Sequence, residues 1–198
     1  MKRILVVSSL TFALLTGGGA AVAAPAAAPR PYCVLHLSQG GTTDCYPTFT
    51  EAIADGTDGR VTDAPATTEA AGDALDRRLD AAAVPAGSPA ALAAAGGTVI
   101  GIQYWHIDYE GAAWVVEANH ACDRDKGYAE WQSSFPGHAW DNQISSAKVF
   151  AGCYAFFWDT PNYDVYGVAI AGDTSDFRSI GTWNPRNFND MTTSIYWT

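Results

Sequence analysis

The chain has 198 residues, 48 % hydrophobic and 12 % aromatic, with 11 basic against 21 acidic side chains and a formal charge of −10. That acidity repels nucleic acid and anionic lipid, which excludes both as general partners, and leaves a weak attraction for cations. The roughly 170 residues that follow the leader region are enough for one hydrophobic core or two small ones.

The chain opens on "MKR" and the apolar run "ILVVSSLTFALLTGGGAAVA", which thins into small residues and ends in "AVA" at 21–23. This pattern predicts a secretory signal peptide over 1–23, cleaved within 23–28, and hence a secreted protein. Three glycines interrupt the run and no positive stop-transfer cluster follows, which opposes a membrane anchor; no other stretch is long enough to span a bilayer. Losing Lys2 and Arg3 with the leader takes the charge from −10 to −12. Four cysteines in an exported chain imply two disulfides. Of three pairings, Cys33–Cys45 with Cys122–Cys153 is preferred, since each pair lies within one compositional block. The absence of C-x-x-C and H-E-x-x-H disfavours zinc.

After the extended spacer "PAAAPRP", "YCVLHL" reads as a short strand and "SQGGTTD" as the turn that returns the chain to Cys45. "TFTEAIADG" reads as a helix with Thr48 as N-cap, Glu51 three residues on and Gly56 as stop. From 62 to 97 the composition turns to Ala, Thr, Asp, Pro and Gly. Leu75 and Leu79 stand at helical spacing in "AAGDALDRRLDAAA", and Pro85 and Pro89 break the pattern. A stretch this poor in large apolar residues is expected to bury little and to act as a mobile helix or linker, so 30–97 reads as a small disulfide-stapled N-terminal segment.

Residues 98–198 differ again. Six of the seven tryptophans lie between 105 and 183, Trp197 closes the set, and short apolar runs ("TVIGIQYW", "AAWVVEA", "CYAFFWD", "VYGVAIAG", "TSIYW") alternate with Gly, Pro, Asn and Asp. Many short strands at close spacing predict an all-β sandwich of Greek keys, with aromatic residues filling its core. Within it "DNQISS" (141–146) recurs as "NDMTTS" (189–194), each behind an aromatic residue, Trp140 and Phe188. Average residue usage yields this pattern about once in fifty chains of this length, and twice about once in several thousand, so the pair marks an internal duplication. Its oxygen donors suit Ca²⁺ better than zinc or copper. A single copy would read as a turn capped by Asx and Ser/Thr hydrogen bonds.

Both copies match the calcium motif of microbial βγ-crystallin domains, N/D-N/D-x-x-S/T-S, and the chain resembles that bacterial family over 98–198, about half its length. The family's aromatic-x-x-x-x-aromatic-x-Gly hairpin is matched in full by Tyr104, Tyr109 and Gly111 in "YWHIDYEG". In "WDTPNYDV", Trp158 and Tyr163 match, but Val165 stands at the glycine position, where the folded hairpin needs φ > 0 and a β-branched residue resists it. The resemblance implies an all-β, two-Greek-key sandwich with two Ca²⁺ sites, each shared between the keys. In it, Asn142 and Asp190 offer side-chain oxygens and Gln143 and Met191 offer backbone carbonyls. Ser145 and Thr193 reach across with hydroxyls, and Glu110 and Asp164 add hairpin carbonyls. Ser146 and Ser194 tie down the hairpins, and Asp141 and Asn189 shape the loops, with Asp141 adding charge.

No catalysis is implied. His36, His106, His120 and His138 are scattered without a G-x-S-x-G, and no carboxylate pair stands out. The expected partners are calcium ions. The alternative is a secreted proteinase inhibitor or killer-toxin-like protein on the same fold, which would present the 33–45 or 122–153 loop to a secreted protease or a cell-surface component.

Overall fold

Two β-sheets face one another, and a layer of helices covers the outer face of one of them. The computed structural model describes residues 31–93, 96–123, 128–180 and 187–198; the signal peptide predicted over 1–23 lies outside these. The first sheet has the order β2 (Thr42–Tyr46), β1 (Tyr32–His36), β4 (Ala113–Ala118), β3 (Thr98–Tyr104), β6 (Ser146–Val149). The second has the order β5 (Trp131–Ser134), β9 (Ser194–Trp197), β7 (Ala155–Trp158), β8 (Gly167–Ile170).

The order of strands is that of two interlocked Greek keys. The first key leaves β3, β4 and β6 in its own sheet and sends β5 to pair with β9 of the other. The second key keeps β7, β8 and β9 together, and its Thr174 bridges back to Ala147 of β6. Each sheet thus contains a piece of the opposite half. Gly101 and Gln103 of β3 point into the sandwich toward the indole of Trp197. Phe157, Phe177, Ile144 and Ile195 are fully buried in the same core.

The N-terminal segment is where the structure departs from expectation. Strand β1 pairs antiparallel with β2 and parallel with β4, with Cys33 opposite both Cys45 and Trp114, so the sheet runs through the boundary expected near residue 97. Helix α1 (Phe49–Gly56) forms as predicted, with Thr48 and Glu51 closing a reciprocal capping box. Its Phe49, Ala52, Ile53 and Gly56 turn inward, and a Cβ on Gly56 would come within 3.0 Å of Val115. Glycine lets the helix lie this close to the sheet without displacing the Val115 side chain.

The described residues of the 62–97 stretch, expected as a mobile linker, are packed. Leu75 and Leu79 of helix α2 (Asp73–Ala82) are buried, as are Val84 and Ala91, the latter on the short helix α3 (Pro89–Ala93). Asp76 of α2 binds the buried Lys148 of β6, and Asp80 accepts the backbone N–H of Ala151 at 2.9 Å. The physical reason is that small residues let a helix lie close to a sheet, so two leucines one turn apart suffice when polar anchors fix the flank.

The disulfides are Cys33–Cys45, between β1 and β2, and Cys122–Cys153, which joins the chain after β4 to the turn before β7. Among the described residues no helix is long and apolar enough to cross a membrane.

Candidate metal centre

The duplicated hexapeptides lie side by side at one end of the sandwich, bonded to each other in a two-fold pattern. The N–H of Asn142 donates to the carbonyl of Thr192 at 2.9 Å, and the N–H of Asp190 donates to the carbonyl of Ile144 at 3.0 Å. These are the second and fourth positions of each motif, exchanged between copies. Asn142 and Asp190 hold φ of 56° and 54°, the left-handed conformation that Asn and Asp tolerate better than other non-glycine residues. That conformation tucks the backbone of each loop against its twin.

The next positions cross as well. The Ser145 hydroxyl donates to Oδ1 of Asp190 at 2.9 Å, and the Thr193 hydroxyl donates to Oδ1 of Asp141 at 2.8 Å. In each copy the carboxylate is also held by its Asn neighbour: the Asn142 amide donates to Asp141 at 3.1 Å and the Asn189 amide to Asp190 at 2.6 Å. Asp141 additionally accepts the Gly137 N–H at 2.7 Å. The motif alone points to Asn142 as the first loop's side-chain donor, with Asp141 shaping the loop. In the structure the carboxylate of Asp141 is the group at the crossing. The signal was the order of the two residues, Asp-Asn in one copy and Asn-Asp in the other, which places the one carboxylate of each motif differently.

The final serines tie the hairpins. Ser146 donates to the carbonyl of His106 and Ser194 to that of Thr160, both at 2.6 Å, and Ser146 also accepts the N–H of Tyr109 at 3.2 Å. Strand pairing sets this up, with Tyr104 opposite Ser146 and Trp158 opposite Ser194. The first hairpin therefore sits beside Ser145 and Asp190, and the second beside Thr193 and Asp141. Among the described residues the carbonyl of Glu110 accepts one bond, from the His106 N–H. That of Asp164 accepts two, from the Thr160 hydroxyl at 2.8 Å and the Tyr166 N–H at 3.1 Å. A carbonyl has two lone pairs, so Glu110 retains one for a further partner and Asp164 does not.

The second hairpin keeps its fold despite the valine. Tyr163 and Val165 hold φ of 58° and 72°, matching Tyr109 and Gly111 at 65° and 79°. A Cβ at Gly111 would lie 2.5 Å from Cδ2 of His106. Thr160 occupies the place of His106 in the second copy, turns its hydroxyl to Asp164, and leaves Val165 67 % exposed to solvent.

Together the loops offer Asp141 and Asp190 carboxylates, Ser145 and Thr193 hydroxyls, and the backbone carbonyls of the exposed Gln143 and half-buried Met191. All are hard oxygen donors, the class a Ca²⁺ or Mg²⁺ ion takes. The Oδ1 of Asn189 is buried with no hydrogen-bond partner beside Asp190, an acceptor oxygen left over by the protein itself. Among the described residues no three His, Cys, Asp or Glu side chains converge as a metal-binding group, so a cation here would rest on hydroxyl and carbonyl oxygens for most of its shell.

No protein-family model matches the sequence, and no curated protein matches it. Among solved structures, the chain is similar to the N-terminal domain of protein S, at 14 % identity, TM-score 0.36, over 50 % of this chain and 94 % of that one. It is similar to a βγ-crystallin domain from Flavobacterium johnsoniae (17 % identity, TM-score 0.35, 50 % of this chain and 93 % of that one). It is also similar to one from Clostridium beijerinckii (16 %, 0.36, 50 % and 95 %). Over about half its length, then, the chain resembles βγ-crystallin domains.

Proposed function

We propose that this is a secreted calcium-binding protein with two Ca²⁺ sites, each shared between the two Greek keys, and that calcium stabilises its fold. The observation that carries the reading is the crossing itself: each Ser/Thr hydroxyl meets the carboxylate of the opposite copy. One site combines Asp190, the Met191 carbonyl, Ser145 and the Glu110 carbonyl. The other combines Asp141 with Asn142, the Gln143 carbonyl and Thr193, and the Asp164 carbonyl joins it only by giving up one of its two internal hydrogen bonds. An ion at either position bridges two halves of the chain, so it binds the folded state and not the unfolded one. One carboxylate per site gives modest affinity, suited to calcium-rich extracellular surroundings. The two disulfides support that compartment. The Glu110 carbonyl has a spare lone pair, which makes the Asp190 site the tighter of the two.

Calorimetric titration with Ca²⁺, with melting in calcium and in chelator, tests this. Two binding events of unequal affinity and a higher melting temperature in calcium are expected. No heat and no melting shift at calcium of about millimolar, the weak end of extracellular calcium modules, would refute it.

A further inference from the structure

A second cluster lies on the outer face of the first sheet, beside the first hairpin, whose Tyr109 it includes. Lys148, in β6, is 6 % exposed. Its Nζ lies 2.5 Å from Oδ2 of Asp76 on α2 and 3.6 Å from Oδ2 of Asp173, over the ring of Tyr109 at 4.7 Å from its centroid. The contact is a close, charge-assisted one, and the lysine that makes it is shut away from solvent.

Within so close a contact, transfer of one proton from nitrogen to oxygen gives an amine and a carboxylic acid. An amine held beside a carboxyl group is a nucleophile positioned near its electrophile, and well-oriented pairs reach effective molarities of about 10⁵–10⁸ M. A third group stands ready to move protons. Burial raises the Asp173 carboxyl above its ordinary value against the opposing pull of Lys148, and its side chain, 47 % exposed, can exchange protons with solvent. Burial, then the charges of Asp173 and Asp76, push the Tyr109 hydroxyl up to about 12, and burial raises the fully buried Tyr104 well above its ordinary value, so both are neutral walls of the site.

We propose that Lys148 and Asp76 join in an intramolecular isopeptide bond, with Asp173 as the proton carrier. The Lys148 ammonium gives a proton to the Asp76 carboxylate, and the freed amine attacks Cγ of Asp76, forming the N–C bond. Asp173 donates its proton to the departing hydroxyl, the Cγ–O bond breaks and one water leaves. Asp173 then takes the surplus proton from the nitrogen and is restored. Ammonium and carboxylate become amide and water, nothing is oxidised or reduced, and no co-reactant is needed. The bond fastens α2 of the N-terminal layer to the Greek keys.

The whole chain has three lysines, Lys2, Lys126 and Lys148, which makes the product simple to map. The test is the mass of the purified protein with its disulfides reduced, followed by peptide mapping. The expected result is a protein one water lighter than its sequence, no tryptic cleavage after Lys148, and a branched peptide joining Asp76 to Lys148. Lys148→Arg and Asp76→Ala should each restore the full mass, and Asp173→Asn should leave an unjoined fraction. A wild-type protein at its full sequence mass overturns the proposal even if every variant fails to fold, and so does a water loss that persists in Lys148→Arg.

Discussion

Val165 holds a left-handed φ of 72° at a position whose twin is a glycine. For an L-residue that conformation costs about 1–2 kcal/mol, because Cβ crowds the following carbonyl. The side chain is mostly exposed and gains little packing in return. Val165→Gly is therefore expected to stabilise the protein by about 1 kcal/mol, once the added freedom of glycine in the unfolded chain is subtracted from the strain relieved. The reverse exchange, Gly111→Ala, adds the same strain and drives a Cβ into the His106 ring, so it should destabilise by more. Urea unfolding of both variants in chelator checks the pair; equal effects of like sign would contradict the account. The sequence marks Val165 as the anomaly but does not say how the hairpin absorbs it. That depends on Thr160, whose size matters only once the two copies are superposed.

At the scale of elements, the crossed loops were the most legible part of the fold, because the duplication writes the same local chemistry twice. What the motif could not assign was which of two adjacent Asn/Asp residues faces the crossing, since that depends on the left-handed turn at Asn142 and Asp190. Ser145→Ala and Thr193→Ala each delete one crossing hydrogen bond, expected to cost about 1 kcal/mol without calcium. In calcium each should weaken a different binding event in the titration, Ser145→Ala the tighter and Thr193→Ala the weaker. Loss of the same event in both would disprove the crossed assignment.

The junction of β1, α1 and β4 supplies the other element-scale prediction. His36 of β1 is buried, with Nδ1 3.1 Å from Glu117 of β4 and Nε2 3.0 Å from Asp55 of α1, and Asp44 of β2 stands 3.7 Å away. Glu117 also accepts from Ser38 at 2.9 Å and from the Gly97 N–H at 2.8 Å. The hydrogen bond to Glu117, with the charges of Asp55, Glu117 and Asp44, raises the His36 pKa above its ordinary value against the opposing effect of burial. A raised folded-state pKa means the protonated form stabilises the fold. That contribution is fully present below the unfolded value of about 6.5 and is lost as pH rises through the folded value. Unfolding midpoints compared at about pH 5.5 and about pH 8.5 should show wild type losing more stability with rising pH than His36→Gln does, as linkage requires. Parallel pH profiles for the two proteins would remove His36 as the cause.

For the whole molecule, composition misleads about the N-terminal third. An Ala-rich stretch with two leucines has the look of a linker, and the pairings that make it structure are long-range: β1 beside β4, Asp76 on Lys148, Asp80 on Ala151. Local periodicity carries no trace of such contacts. The consequence is that the Greek keys, which the strand pattern and duplicated motif mark from residue 98 onward, are half of one core. Ile102, Tyr104 and Lys148 on the outer face of the first sheet are buried, and helix α2 packs on that face. Removing residues 31–97 would expose these side chains and leave β4 as a bare edge, which invites association. A chain of residues 98–198 alone is expected to bind a hydrophobic dye and to lose the sharp thermal transition of the full protein. Calcium should raise its melting temperature, because the crossed loops lie wholly within 98–198, yet it should not abolish dye binding, because no ion at the loops covers the outer face. A fragment that melts as sharply as the full chain and binds no dye would show that the keys are self-sufficient and that the helical layer is an addition to a finished fold.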